Sequence, residues 1–225
     1  MIVVVALDEG RWPLLQGQDP DDLLAEQGWV GQPVRAVRGE DDAVELHYLV
    51  TALPTPAPGA LPVPEPTVLP IASRARTHQR LGAYALVVDE DRLLMSQLSD
   101  WVGGAGGLWT LPGGGVDPGE SPADGVVREV HEETGQEVVV DELVQVQSRH
   151  WIGDVAAGER HEDFHAVRLI YRATCPRPTP AHVVEVDGST GAAAWVPLAE
   201  VGDLPLVDMV RLAWPWVPGS DSYPL

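Results

Sequence analysis

Lysine is absent from this chain of 225 residues: the 14 basic residues are all arginine, set against 34 acidic ones for a formal charge of −20. The absence excludes lysine Schiff-base chemistry. The charge balance excludes a basic surface for duplex nucleic acid. Cysteine is nearly absent as well. A single Cys175 cannot form an internal disulfide. With no signal peptide in evidence, this points to the cytoplasm. Cys175 reads as a quiet residue at a strand end rather than a catalytic thiol. Long apolar runs are missing too, and nothing approaches the roughly 18 residues of a membrane span. Residues 1–7 are too few, and lack the basic leader, for an export signal.

Proline, by contrast, is concentrated. Seven prolines fall within residues 53–70, a tract expected to be extended and semi-rigid. It reads as a linker in preference to an SH3 ligand. The chain is thereby divided into a small N-terminal α+β region (1–52), a Pro-rich linker (53–74), a larger domain (75–218) and a short tail (219–225). In the first region, 1–7 is a strand, 19–27 a short helix, and 34–37 with 43–51 a hairpin. So short a segment buries little by itself. It is expected to pack on the larger domain or complete a homodimer, rather than act as an independent binding module.

In the larger domain, Arg80-Leu81-Gly82 leads into two apolar runs around Asp89-Glu90-Asp91, a β-hairpin. A glycine-rich loop (102–107) precedes a short strand at 108–111, which delivers a glycine turn and then a helix. Further strands are expected near 138–146, 166–173 and 192–196, with a last helix near 208–212. Alternating strands and helices imply a mixed β-sheet between helices.

The helix carries the chemistry. Ser121 is a good N-cap, Pro122 suits the first helical position and Asp124 a capping carboxylate. Gly135 suits the left-handed residue that ends a helix. The helix is therefore expected over Pro122–Thr134, with Ala123, Val126, Val127 and Val130 as its buried stripe. Glu129, Glu132 and Glu133 stand at i, i+3 and i+4 and converge on one side. Three crowded anions call for cations among them, and oxygen ligands suit hard ions such as magnesium or manganese. The approach through Gly113, Gly114 and Gly115 lets backbone pack closely against a metal or phosphate. A solvated acidic helix face is the plainer reading, but the only base near the cluster is Arg128.

Gly114, Glu120, Arg128, Glu129, Val130, Glu132, Glu133 and Gly135 stand in the order and spacing of the Nudix signature, and the chain closely resembles the Nudix hydrolases. One position departs: Gln136 stands where the pattern has an aliphatic residue, a matter of packing at the helix end. Gly125, in mid-helix, is a second oddity at about 1 kcal/mol against alanine. The resemblance implies an α/β/α sandwich over residues 75–218 and hydrolysis of a nucleoside diphosphate linked to another moiety. It also implies Mg2+ (or Mn2+) held by Glu129, Glu132 and Glu133 with a backbone carbonyl from Gly113 or Gly114. Glu129, Glu133, Arg128 and Glu120 form the catalytic set. Arg128 orients Glu129, and Glu120 ties the loop to the helix or reaches metal through water.

Substrate recognition is less legible. Arg80 supplies local positive charge, and Trp109, Trp151 and Tyr84 could stack a base, although such residues more often serve packing. The proline and tyrosine associated with ADP-ribose and dinucleoside polyphosphate relatives are missing. The sequence His161-Glu162-Asp163-Phe164-His165 satisfies a zinc-protease pattern, which requires a helix. A polar loop over 153–163 entering a strand is expected there instead. In Nudix enzymes such a loop can lend an acidic residue, which makes Glu159, Glu162 and Asp163 candidates. The partner is expected to be a small nucleotide-type molecule. A Nudix-fold sensor that binds without cleaving is the alternative, disfavoured because every signature glutamate is present.

Overall fold

The β-branched run at the start of the chain forms strand β1 (Ile2–Ala6) in the computed structural model, which describes residues 1–39, 41–54, 76–154, 161–185 and 188–219. Asp8 takes a left-handed turn (φ 66°) that returns the chain as β2 (Gly10–Pro13). The short helix α1 (Pro20–Glu26) is capped by Asp19, whose carboxylate accepts from the Asp21 amide at 2.9 Å. Strands β3 (Trp29–Arg38) and β4 (Val44–Ala52) then form the expected hairpin, and β1 lies parallel to β4 in a sheet of order β2-β1-β4-β3. Two features differ from expectation. Strand β2 is an additional edge strand of only four residues, half-buried at Gly10 and Trp12 and exposed at Arg11 and Pro13, too short for a hydrophobic pattern to register in the sequence. Strand β3 begins five residues early, because backbone pairing to β4 continues past its apolar stretch.

The larger sheet opens with the expected hairpin, β5 (Arg76–Asp89) and β6 (Arg92–Leu98), turning at a left-handed Glu90 (φ 55°). Two short strands follow, β7 (Trp109–Thr110) on β6 and β8 (Gly113–Gly115) on β5. The glycine run is thus a paired strand and not merely a turn. Helix α2 (Pro122–Thr134) has the bounds the sequence implies. Strands β9 (Val139–Asp154), β10 (His161–Thr174) and β11 (Thr190–Pro197) complete a sheet of order β11-β6-β5-β10-β9. Its β5–β10 pair is parallel and the other pairs antiparallel. Helix α3 (Asp208–Ala213) follows.

The expected loop at 153–163 is corrected at its two ends by β9 and β10, while residues 155–160 lie outside the described residues. His161, Glu162 and Asp163 pair with Asp154, Gly153 and Ile152, so the strands run past the end of apolar alternation. The zinc-protease pattern therefore sits on a strand. Glu159, the 55–74 portion of the Pro-rich linker, residue 75 and residues 220–225 also lie outside the described residues.

Strand alternation sorts the core into two layers. Ala85 and Val87 of β5, Leu94 of β6 and Val167, Leu169 and Tyr171 of β10 face Val126 and Val130 of α2. Leu86, Leu93, Met95 and Ile170 face the opposite layer with Met209 and Val210 of α3. The mixed sheet is thus covered by a helix on each face. The layer beneath α2 also holds Ile2, Val4, Leu23, Leu46 and Tyr48. The N-terminal sheet therefore shares one apolar core with the larger domain, and its strand β3 packs on α2 and β9. Among the described residues no helix is long and apolar enough to cross a membrane.

Candidate active site

Helix α2 starts where Ser121 Oγ accepts from the Asp124 amide at 3.2 Å and donates to the Asp124 carboxylate at 2.7 Å. It ends at Gly135 in the left-handed conformation (φ 69°). Val126 and Val130 are fully buried, while Ala123 and Val127 are half-buried. The two oddities of the signature have local causes. A Cβ on Gly125 would lie 3.0 Å from the Glu120 carboxylate, so the glycine leaves room for that side chain against the helix. Gln136 is buried but satisfied. Its amide donates to the Thr134 carbonyl and Thr179 Oγ1, and its oxygen accepts from the Thr179 amide at 2.9 Å. It joins the helix end to the segment after β10, where the buried Cys175 also donates to it.

Arg128 organises the exposed side of the helix. Its Nε and Nη2 donate to the two Glu120 oxygens at 2.9 and 3.1 Å, a bidentate pair. Nη1 donates to both Glu129 Oε1 and Glu132 Oε2 at 3.0 Å, and Nη2 also reaches the Gly115 carbonyl. The Arg128 hydrogen bonds hold Glu120 below the usual carboxylate range. Glu129 is nevertheless pushed up, because burial outweighs its bond to Arg128 and Glu132 adds like charge. The Glu129 carboxylate lies against the main chain of Gly114, where a Cβ would stand 2.5 Å from it. Gly113, at φ 143°, brings β8 so close to β5 that a Cβ would lie 2.3 Å from the Ala83 carbonyl oxygen.

Glu133 turns the other way. Only 4% exposed, it accepts from the Gly113 amide at 2.9 Å, Ser96 Oγ at 3.1 Å and Thr190 Oγ1 at 2.6 Å. Burial pushes its pKa up to about 7 against the opposing effect of those three donors. Ser96 and Thr190 come from β6 and β11, and no local pattern in the sequence marks them as partners of the helix.

Glu133 and the glycine strand border a cavity of about 510 Å³. Arg80 of β5 and Arg168 of β10 line it, and neither is ion-paired to a carboxylate among the described residues. Further along, Trp151 stacks on Phe164 with centroids 4.5 Å apart, and the Arg149 guanidinium lies 5.9 Å from the Trp151 ring centre. Arg149 also pairs with Asp208 at the start of α3. Arg80, Trp151 and Tyr84 are therefore brought to one cavity with Glu133, Gly113 and Gly114. Trp109 is not; it packs against the layer beneath α3. Glu162 lies near the start of β10, outside the lining. Asp163 faces the N-terminal region, where it accepts from Gln16 and pairs with His150 at 2.7 Å. Arg168 and Phe164 are lining residues that the sequence reading missed. They share one face of β10 with Ala166 at a period of two, a pattern cut short because the expected strand begins only at residue 166.

The carboxylate chemistry suits a hard divalent ion: oxygen donors only, crowded, and in Glu129 and Glu133 held above their ordinary range by burial. As the side chains stand, no three acidic or histidine groups converge tightly enough to enclose an ion among the described residues. Arg128 occupies the space between Glu129 and Glu132, and both Glu133 oxygens have protein donors.

An acidic helix interleaved with arginine, beside an arginine-lined cavity, belongs to an enzyme that handles phosphate-bearing anions. The family is settled by comparison: the NUDIX domain matches residues 78–218, well over half the chain, and this protein belongs to the Nudix hydrolases. Members act on nucleoside diphosphate derivatives and generally use divalent metal ions. The chain is 34% identical over 145 residues to a MutT-like protein of Streptomyces ambofaciens, covering 61% of this chain and 80% of that one. It is 31% identical over 94 residues to the nucleoside triphosphatase NudI of Salmonella agona (strain SL483), covering 41% and 67%. Among solved structures, the MutT NUDIX hydrolase from Burkholderia pseudomallei aligns at 28% identity over 60% of this chain and 95% of its own, with a TM-score of 0.40.

Proposed function

We propose that this protein is a Mg2+-dependent pyrophosphohydrolase (Mn2+ substituting) that cleaves a nucleoside diphosphate linked to a further phosphate, sugar or similar group. The observation that carries the proposal is the junction of two opposite features. The carboxylates of α2 meet a cavity holding two arginines, Arg80 and Arg168, that have no acidic partner among the described residues. In a protein of charge −20, arginines left without a carboxylate partner are best explained by an anionic ligand.

Glu129, Glu132 and Glu133, with a carbonyl of Gly113 or Gly114, would hold the metal. When bound, the ion neutralises the diphosphate and lowers the pKa of a water for in-line attack on phosphorus. The chain's own groups do the rest. Arg80 and Arg168 take the phosphates as charge-assisted donors, and the Trp151–Phe164 shelf offers an apolar, stacking surface for the base. Arg128 holds Glu129 and Glu132 in register, and Glu120 fixes Arg128. Glu133 is fixed beside Gly113 by the donors of Gly113, Ser96 and Thr190. The names of the MutT-like and nucleoside triphosphatase relatives make nucleoside triphosphates the first compounds to try.

The test is a screen with Mg2+ and with Mn2+ across nucleoside triphosphates, sugar nucleotides and dinucleoside polyphosphates, following phosphate and nucleotide products. Turnover of at least one class, abolished by chelator, is expected. Tight nucleotide binding with no product under any condition would instead indicate a sensor.

A further inference from the structure

Arg38 is the last residue of β3, in the N-terminal sheet and outside the matched Nudix region, yet it reaches the Nudix helix by way of the loop before it. Its Nε donates to the Glu120 carbonyl at 2.7 Å and its Nη2 to the Asp117 carbonyl at 3.0 Å. These are the first and last residues of a tight turn closed by the Glu120 amide on the Asp117 carbonyl, with Gly119 at φ 81°. The remaining arm of Arg38 is anchored at home: Nη1 donates to the Asp42 carbonyl at 3.0 Å and its carboxylate at 2.8 Å. The guanidinium is mostly buried, with 17% of the side chain exposed, which distinguishes it from a surface ion pair.

The turn it grips governs Arg128. One oxygen of Glu120 accepts from the Asp117 amide, closing the turn a second time. Both oxygens hold Arg128, whose free arm spaces Glu129 from Glu132. An unbroken series of hydrogen bonds therefore runs from Asp42 through Arg38, the 117–120 turn, Glu120 and Arg128 to the two carboxylates. An Arg suits this place because its fork can serve two carbonyls and an aspartate at once, whereas a lysine head is a single point charge.

We propose that Arg38 is a positioning residue for the Nudix helix: by clamping both carbonyls of the 117–120 turn it fixes Glu120 and, through it, the placement of Arg128 between Glu129 and Glu132. The N-terminal sheet is thus part of the catalytic scaffold. The inference rests on the hydrolase reading above for its kinetic consequences, and on the metal-holding role proposed for Glu129 and Glu132 for its effect on metal affinity.

Two variants test it, Arg38→Met, which keeps the aliphatic stem and removes every donor, and Arg38→Lys. Mn2+ affinity is measured on the full chain by calorimetry or paramagnetic resonance, alongside kcat and KM on whichever substrate the screen identifies. Supports around a metal site typically change affinity or activity by about 10- to 100-fold. For Arg38→Met, Mn2+ affinity and kcat are expected to fall by about tenfold, with KM moving less than about threefold, and Arg38→Lys to lie between. In a Glu120→Gln background the Arg38→Met effect should shrink to about twofold or less, because the two act in series. Wild-type Mn2+ affinity in a folded Arg38→Met, or an undiminished effect in the Glu120→Gln background, overturns the proposal. Should Arg38→Met not fold, Arg38→Lys decides, and a wild-type Mn2+ affinity there overturns it. A wild type that binds Mn2+ but hydrolyses nothing sinks the hydrolase reading while the Mn2+ comparison still judges Arg38. A wild type that binds no Mn2+ overturns both.

Discussion

Arg128 makes five hydrogen bonds to three glutamates and a carbonyl, and the site depends on how few alternatives its neighbours have. Two glycines set that limit. At Gly114 a methyl group would stand 2.5 Å from the Glu129 carboxylate. Gly114→Ala should therefore lower turnover by about tenfold or more while leaving the fold intact, as activity assays with a circular-dichroism control will show. At Gly125 the opposing effects nearly balance. Alanine would favour the helix by about 1 kcal/mol, but its methyl group presses on Glu120 at 3.0 Å. Gly125→Ala is thus expected to melt at or slightly above the wild-type temperature and to lose activity through displacement of Glu120. A variant that melts lower and keeps full activity would contradict that placement. The residues of this cluster were legible in the sequence because helix spacing and a glycine approach are local. Ser96 and Thr190, which hold Glu133, were not, since they lie on strands β6 and β11 at a distance of tens of residues along the chain.

At the scale of elements, helix α2 was readable to the residue because its cap, its proline and its terminal glycine each act locally. The strands were readable in position but not in length. Strands β9 and β10 continue past their apolar stretch because backbone pairing, not side-chain pattern, sustains them. That extension is what delivers Trp151 and Phe164 to the cavity, so the substrate side of the site was the part least visible. Arg168→Ala on β10 should raise KM by about tenfold with a smaller change in kcat, the pattern of a lost ground-state phosphate contact. Steady-state kinetics check it, and an unchanged KM would remove Arg168 from the binding surface.

For the whole molecule, the N-terminal sheet is joined to the larger domain by a common apolar core and by polar contacts at loop 14–18. The Gly17 amide and Gln79 amide donate to His165 Nδ1, leaving Nε2–H to donate to Ser148. Both donors demand a neutral ring, and burial together with His150 lowers the His165 pKa below its ordinary value. The sign follows: stability from this group is complete above the unfolded pKa of about 6.5 and is lost as pH falls from there through the folded value. Thermal melts should show a fall in stability below about pH 6.5, and His165→Gln should flatten that part of the profile. Removal of residues 1–52 would expose the face of the core that Ile2, Val4, Leu23 and Leu46 cover. The truncated protein is expected to aggregate or to lose its cooperative transition, seen by size-exclusion chromatography and calorimetry. The Pro-rich tract reads as a division in the sequence, whereas one apolar core holds residues from both sides of it, because nonlocal apolar contacts leave no mark in a linear sequence.

The central claim is that the α2 carboxylates, and not another group, drive divalent-metal-dependent cleavage of a nucleoside diphosphate derivative. The most direct measurement compares turnover of wild type, Glu132→Gln and Glu133→Gln on the substrate identified by screening, across a Mg2+ titration. The glutamine variants are expected to fold as wild type and to lose at least about 100-fold in Mg2+-supported turnover. Full activity in both variants at the same Mg2+ concentration would contradict the account.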